Sequence, residues 1–167
     1  NDSTDESLAM IEKRFPSVRI IRTGENTGNG AGLNGGIFAA KTPYVLLIDP
    51  DAILTVENLQ RLHQGLQDYP DAAFTAPCLQ IPRHGQDLWV MGPAETSHSV
   101  TREAPDGPFC SWFLTAAVAL YRTDVIQKLG GFDENIFLYL EDLDLCMRVT
   151  QAGHSMIALP DATAYHA

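Results

Sequence analysis

Residues 44–51 read Tyr44-Val45-Leu46-Leu47-Ile48-Asp49-Pro50-Asp51, an apolar run that ends in two carboxylates one residue apart. A run of Val, Leu and Ile without polar alternation predicts a strand that is covered on both faces. Open α/β sheets bind ligands beyond the carboxyl ends of such strands, so Asp49 and Asp51 should lie at a binding edge. Pro50 fixes its own φ and cannot extend a ladder, which predicts that a stiff turn presents both acids.

Strand and helix patterns alternate on both sides of this stretch, which predicts an α/β domain with a mostly parallel sheet flanked by helices. A Ser3/Glu6 capping box predicts a first helix that runs to about Phe15. Further helices are predicted over residues 32–40, 55–69, 123–129 and 140–151, and strands over residues 18–21, 44–48, 72–76 and 156–159. Because the chain opens on a helix cap, we expect the first strand of the sheet to lie outside this sequence.

Composition narrows the class of protein. A length of 167 residues with 45% apolar content suits one globular domain over residues 1–167. The formal net charge of -10 argues against a nucleic-acid surface, and any phosphate ligand should come with a divalent cation. Three cysteines without a CxxC pair predict neither a disulfide framework nor a zinc ribbon, and they indicate a reducing, cytoplasmic setting. No stretch of about 18 apolar residues predicts a membrane-spanning helix.

Two interpretations of the Asp49/Asp51 pair stay open. Turns favour Asp for local hydrogen bonding, so the pair could serve the turn alone. Close carboxylates also repel unless a cation or a proton relieves them, and no Lys or Arg is adjacent. Hard oxygen ligands suit Mg²⁺ or Mn²⁺. His166, just after the last predicted strand, is either a third ligand as a neutral imidazole or an ordinary surface or core histidine.

Residues 30–35, Gly-Ala-Gly-Leu-Asn-Gly, match G-x-G-x-x-G. A dinucleotide site is disfavoured because the glycines follow the predicted strand by a long turn and because the acid at the ribose-partner distance, Asp49, belongs to the acid pair. Small residues would let the helix pack close to the sheet, while Asn26, Gly28 and Asn29 shape a turn. Alternatively, Asn34 and the glycine backbone approach a nucleotide.

A second acidic cluster, Glu141-Asp142-Leu143-Asp144, opens the last predicted helix. Acids in a first helical turn are favoured by the helix dipole, which is a sufficient structural explanation. The functional alternative makes one of them a general base that faces a pocket. Asp144 and Arg148 are spaced as an i,i+4 ion pair.

Taken in order, these pieces resemble the family 2 glycosyltransferases of the GT-A fold, particularly the rhamnosyltransferase- and galactofuranosyltransferase-like branch. The similarity covers nearly the whole chain, from Asn1-Asp2-Ser3-Thr4-Asp5 through residues 26–36 and Asp49-Pro50-Asp51. Residues 131–148, GFDENIFLYLEDLDLCMR, are the most specific part. The family's opening strand with its nucleobase-binding aspartate and its acceptor-side C-terminal region are not in this sequence, so we expect a core fragment of a longer chain.

The resemblance implies an inverting transfer from a nucleoside-diphosphate sugar to a hydroxyl of a glycan or lipid-linked acceptor. It makes Asp142 the catalytic base beside Glu141, and it places Mn²⁺ or Mg²⁺ on Asp49 and Asp51. The remaining implied site residues are His166 as a further metal ligand and Asn26, Gly28 and Asn34 in the donor-binding segment. A lipid-linked acceptor would put the protein at the inner face of a membrane, in peripheral association. Residues 91–108 and Trp112 are expected to flank the acceptor.

Two alternatives share these features. A sugar nucleotidyltransferase also needs paired acids and bound Mg²⁺, but it normally has a basic phosphate-binding loop, and residues 24–40 contain no Lys or Arg. A non-catalytic nucleotide-sugar-binding module would keep the fold without the chemistry. Asp51 and Asp142 together disfavour the module, and metal-dependent nucleotide binding without turnover would support it.

Overall fold

The computed structural model describes residues 2–83, 86–90, 100–101 and 106–167, with the side chains of residues 82–83, 86–90 and 100–101 left aside. The helices are α1 (Ser7–Arg14), α2 (Asn29–Ala39), α3 (Val56–Asp68), α4 (Thr123–Lys128) and α5 (Glu141–Gln151). The strands are β1 (Tyr44–Ile48), β2 (Ala52–Leu54), β3 (Ala72–Arg83), β4 (Gln86–Val90), β5 (Val100–Thr101), β6 (Phe109–Cys110), β7 (Val118–Arg122) and β8 (Ser155–His166). Asn1 and most of the loop predicted over residues 91–108 lie outside the described ranges.

Local signals in the sequence set the bounds of several elements. The predicted strand 44–48 coincides with β1. Thr55 caps α3, since its hydroxyl accepts the Asn58 amide at 3.2 Å. Gly131 donates to the Ile126 carbonyl at 2.9 Å with a φ of +68°, and this glycine turn ends α4.

Several local predictions differ from the structure, and three of them concern the N-terminal part of the chain. The Ser3/Glu6 capping box does not form; instead the Asp5 carboxylate accepts the Ser7 amide at 3.0 Å, and α1 begins at Ser7. Residues 18–21 are not a strand, because no described strand lies alongside them to complete a ladder. The glycine-rich helix begins at Asn29, three residues before the predicted start at 32.

The sheet is mixed rather than mostly parallel. Its main order is β1-β7-β3-β4-β5, and β8 pairs with β2, β3 and β6. Among the described pairs, only β3 with β8 is parallel. The others are antiparallel. An apolar run that is covered on both faces looks the same in either orientation, so the sequence pattern could not reveal this.

Helices cover both faces of the sheet. On one face, Leu62 and Leu66 of α3 pack with Leu120 and Leu159 of the strands. On the other, α2, α4 and α5 pack against the larger cluster, whose centre holds the rings of Phe74 and Tyr121 stacked at 4.4 Å. Within the described ranges, none of the helices has the length and apolar character to cross a bilayer.

Candidate active site

The two acids after β1 are held in a hydrogen-bonded turn. The Asp49 amide donates to the Ala117 carbonyl at 2.8 Å, which fixes the turn to the residue just before β7. The Ala52 amide donates back to the Asp49 carbonyl at 3.0 Å, with Pro50 at the second position of the turn. The chain then enters β2, so both carboxylates sit between two anchored strands, as the proline predicted.

Strand pairing brings His166 to these acids from the far end of the sequence. β2 runs antiparallel to the end of β8, with Ala52 opposite His166, and the Ala167 amide donates to the Asp51 carbonyl at 3.2 Å. His166 Nε2 lies 3.3 Å from Asp51 Oδ1 and 3.6 Å from Asp49 Oδ2. One ligand atom from each of the three residues falls within 4.8 Å of the others. This donor set, two carboxylate oxygens and one imidazole nitrogen, fits a divalent cation such as Mn²⁺.

Negative charge accumulates around this cluster. Burial raises the pKa of Asp49, the charge of His166 opposes that shift, and the carboxylates of Asp51, Glu141 and Asp142 raise the pKa further. The second acidic cluster therefore lies within electrostatic reach of the first. Such crowding of carboxylates is relieved by a proton or a cation.

Asp142 and Glu141 occupy the first turn of α5 but have different surroundings. Asp142 accepts the Leu143 amide at 2.8 Å. Burial raises the pKa of Asp142, while the hydrogen bonds from Leu143 and the Thr115 side chain oppose the shift. Glu141 is only 5% exposed, and its Oε1 accepts the Asn29 side-chain amide at 2.7 Å. Its Oε2 is enclosed with no hydrogen-bond partner among the described residues.

The turn before α2 lies against the loop before α5. Asn26 Oδ1 accepts the Gly28 amide at 3.2 Å, an Asx turn of the kind the sequence indicated. Gly28 has a φ of +90°, and the next amide, of Asn29, donates to the Phe137 carbonyl at 2.9 Å. The donor-segment candidates Asn26 and Gly28 are thus adjacent to the acidic helix.

Asn34 lies elsewhere and is engaged by protein groups. It is 2% exposed, its Oδ1 accepts the Phe132 amide at 2.8 Å, and its Nδ2 donates to the Phe132 carbonyl at 2.9 Å and to Glu134 at 3.0 Å. A Cβ on Gly131 would come within 2.2 Å of Asn34 Oδ1. These contacts give Asn34 the task of fixing the 131–134 loop and leave its side chain no approach to a nucleotide.

Trp112 lines a groove of about 500 Å³ with Thr150, Gly153 and His154 at the C-terminal end of α5. Asp142 is at the opposite end of that helix, and the helical rise separates the two ends by roughly 16 Å. This placement disfavours Trp112 as a platform beside the base. Asp144 pairs with Arg148 at 2.6 Å, as its spacing predicted.

Sequence reasoning missed two neighbours of the acidic helix, Asn29 and Thr115. The sequence pattern indicates only a turn for Asn29 and no site role for Thr115. Both reach α5 through tertiary contacts that no local pattern marks.

Comparison with known proteins gives the family of this α/β domain. The family model described as "Glycosyl transferase family 2" matches residues 1–130. The chain therefore belongs to glycosyl transferase family 2, which confirms the expectation from its motifs.

Rhamnosyltransferases are among the relatives that match. The N-acetylglucosaminyl-diphospho-decaprenol L-rhamnosyltransferase of Mycobacterium tuberculosis is 27% identical over an alignment of 197 residues. That alignment covers 99% of this chain and 64% of that protein. The O-antigen chain rhamnosyltransferase WbaN of Salmonella anatum is 24% identical over 173 residues, 99% of this chain and 54% of that protein. The chain thus spans between 54% and 64% of the length of these two relatives. The match agrees with the predicted branch of the family.

Solved structures share the fold. GalNAc-T7 with UDP, GalNAc and Mn²⁺ has a TM-score of 0.76 at 14% identity, over 97% of this chain and 35% of that one. The mannosyltransferase PcManGT from Pyrobaculum calidifontis, in complex with GDP-Man and Mn²⁺, has a TM-score of 0.71 at 15% identity, over 99% of this chain and 45% of that one. The predicted GT-A fold class is therefore confirmed.

Proposed function

We propose that this chain is the core of an inverting, metal-dependent glycosyltransferase that moves a sugar from a nucleoside-diphosphate sugar to an acceptor hydroxyl. One observation carries the proposal: the Asp49/Asp51/His166 cluster and Asp142 are tied to the same short segment, since the Asp49 amide donates to the Ala117 carbonyl and the Thr115 side chain hydrogen-bonds Asp142. The Asp142 carboxylate also raises the pKa of Asp49. A site for the leaving group and a base for the nucleophile are thus neighbours.

Asp49, Asp51 and His166 would hold the cation. Their converging oxygens and nitrogen suit Mn²⁺, and Mg²⁺ remains a candidate because two of the three ligands are carboxylates. When bound, the cation neutralises charge on the departing nucleoside diphosphate. The net charge of -10 shows that acidic side chains outnumber basic ones, which favours a cation as the neutralising group.

The donor would lie along the turn before α2. Asn26 and Gly28 present backbone beside the acidic helix, and Gly28 lets the chain pass close to the Phe137 carbonyl. Asn34 acts one step further away, by fixing the loop that leads towards Phe137.

Asp142 would take the proton of the attacking acceptor hydroxyl. A single displacement with inversion needs one base, on the side of the sugar opposite the leaving group. The raised pKa of Asp142, caused first by burial, makes its carboxylate a stronger proton acceptor than an exposed Asp. Glu141 is too enclosed to meet a substrate and instead orients the start of α5.

The proposed acceptor is a glycan or a lipid-linked saccharide. The four apolar residues 137–140, directly before Glu141, are each at least 51% exposed and would lie beside such an acceptor. The relative from Mycobacterium tuberculosis is named for a decaprenol-linked substrate. Peripheral association at the cytoplasmic face of a membrane follows from a lipid-linked acceptor.

The test is thermal stabilisation by UDP, dTDP and GDP, each with and without Mn²⁺, followed by release of nucleoside diphosphate from the matching sugar nucleotides. We expect one nucleotide to stabilise the wild type only with Mn²⁺, by about 2.7 kcal/mol at a concentration of 100 Kd. Asp51→Asn should lose this stabilisation. Glu57→Gln, which removes an exposed acid from α3, is the matched control and should retain it.

Asp142→Asn separates binding from chemistry. We expect it to keep the Mn²⁺-dependent stabilisation and to lose turnover. Turnover by Asp142→Asn at the wild-type rate would remove the assigned base, and stabilisation of the wild type without any turnover would favour a non-catalytic binding module. Equal stabilisation with and without Mn²⁺ would refute the metal site.

A further inference from the structure

The first turns of α2 and α5 are joined by two hydrogen bonds through one residue. The Asn29 side-chain amide donates to Glu141 Oε1 at 2.7 Å. The Asn29 backbone amide donates to the Phe137 carbonyl at 2.9 Å. Asn29 therefore contacts both ends of the 137–141 segment that leads into the acidic helix.

Two glycines permit this close approach. A Cβ on Gly28 would lie 2.3 Å from the Phe137 carbonyl oxygen, and a Cβ on Gly30 would lie 2.8 Å from Phe132 Cβ and 3.6 Å from Glu141 Cβ. A side chain at position 28 would displace the Phe137 carbonyl, and one at position 30 would displace Phe132. The backbone of the turn thus forms one wall against which the start of α5 rests.

The segment between the two anchors is strained. Tyr139 and Leu140 are consecutive non-glycine residues with φ of +63° and +71°. Such conformations persist only where surrounding contacts determine them. The side chains of both residues are exposed, 77% and 64%, so packing of those side chains does not hold the segment. The Asn29 bonds restrain the segment at its two ends, and the Leu140 carbonyl accepts the Asp144 amide at 2.9 Å.

Glu141 accepts the side-chain hydrogen bond of Asn29 at the second end of the segment. It is the one carboxylate of the α5 start that is 5% exposed, and its Oε2 is enclosed without a hydrogen-bond partner in the described part of the chain. A carboxylate in that setting depends on its remaining bond for its orientation, and here that bond comes from Asn29. Asp142 is the next residue and shares the same helical turn.

We propose that Asn29 is a positioning residue which, through Glu141, fixes the orientation of Asp142 for the transfer reaction. The inference rests on the proposed function, since it concerns the base of that reaction. It also makes the donor-side turn and the base one mechanical unit, so that a nucleotide held at residues 26–28 lies on the element that aims Asp142.

The first experiment separates an effect on kcat from an effect on KM. With the nucleotide sugar found in the binding panel, Asn29→Ala should lower kcat on the order of tenfold, the effect of losing a hydrogen bond to a charged group. KM for the donor and the Mn²⁺-dependent stabilisation by nucleotide should stay at wild-type values. The control is Gln127→Ala, which removes an amide that bonds the Ile37 carbonyl at the other end of α2 and should leave kcat unchanged.

The second experiment exchanges the hydrogen-bond donor and the hydrogen-bond acceptor of the Asn29–Glu141 pair. Asn29→Asp places two carboxylates in contact and should lower kcat more than Asn29→Ala. The double variant Asn29→Asp/Glu141→Gln restores one donor and one acceptor, and we expect it to recover most of the lost kcat. This pair also serves if Asn29→Ala does not fold.

The outcomes distinguish the inference from the proposed function. A wild type that turns over the donor, with Asn29→Ala equal to it in kcat, overturns the inference alone. Failure of the exchange to recover kcat, with Glu141→Gln as impaired as Asn29→Asp, also overturns it, because Glu141 would then act directly. A wild type without nucleotide binding or turnover overturns the proposed function and the inference with it.

Discussion

Gly28→Ala tests whether the α2 turn supports the acidic helix. Gly28 has φ +90° and ψ 177°, a region open essentially to glycine, and placing another residue there costs on the order of 1–3 kcal/mol. The new Cβ would also meet the Phe137 carbonyl oxygen at 2.3 Å, so that the carbonyl must retreat by about 1 Å to reach van der Waals contact. That movement breaks the Asn29–Phe137 bond, a loss of about 1 kcal/mol.

The expected total is a loss of about 2 to 4 kcal/mol in the free energy of unfolding, measured by urea denaturation. Displacing the 137–141 segment by about 1 Å should also lower donor turnover, by up to about 10²-fold. Gly24→Ala is the matched control: Gly24 has a φ of +81° with nothing within 4 Å of its Cβ position, so only the backbone strain of about 1–2 kcal/mol applies and turnover should stay at the wild-type rate.

Equal losses of stability in Gly28→Ala and Gly24→Ala, with wild-type turnover in both, would contradict this prediction. That result would mean that the 137–141 segment yields freely. It would also remove the physical basis for coupling the donor-side turn to Asp142.

Two further predictions concern stability without added metal. Asn34→Ala leaves the buried Phe132 amide and carbonyl without their partner and should cost about 2 to 4 kcal/mol in urea denaturation, whereas Asn135→Ala, at an exposed site, should cost far less. Burial raises the pKa of Asp142, and Glu141 adds to the shift. The protonated form of Asp142 therefore favours the folded state. This contribution to stability is full below the unfolded Asp pKa of about 3.9, and it is lost as the pH rises through the raised pKa of the folded state. Asp142→Asn should therefore be more stable than the wild type at pH 7 and lose this advantage as the pH falls to about 4; a variant that is less stable at pH 7 would contradict the prediction.

Much of the local structure followed from short-range chemistry. The β1 strand and its Asp-Pro-Asp turn, the Thr55 cap and the glycine stop after α4 each depend on residues within one or two turns of the chain. Asp49 and Asp142 could be proposed as site residues for the same reason, because a strand end and a helix start are local features with their own signatures.

The mixed strand directions of the sheet could not be predicted from the sequence. Strand direction depends on where each connection returns, and an apolar strand satisfies its hydrogen bonds with a parallel or an antiparallel neighbour. The strand expected over residues 18–21 failed for a related reason, since β structure needs a partner that no local pattern supplies.

The sequence by itself determined which side chains could do chemistry: two acids after a buried strand, an acid at a helix start and a late histidine. Tertiary structure decided which of them meet and in what state. His166 reaches Asp51 because β2 pairs with β8, and Asn29 reaches Glu141 because glycines let two backbones approach closely. Burial then raised the pKa of Asp142 and enclosed Oε2 of the neighbouring Glu141. The first two outcomes depend on contacts between residues more than 100 positions apart, and the third depends on desolvation, which has no local signature in the chain.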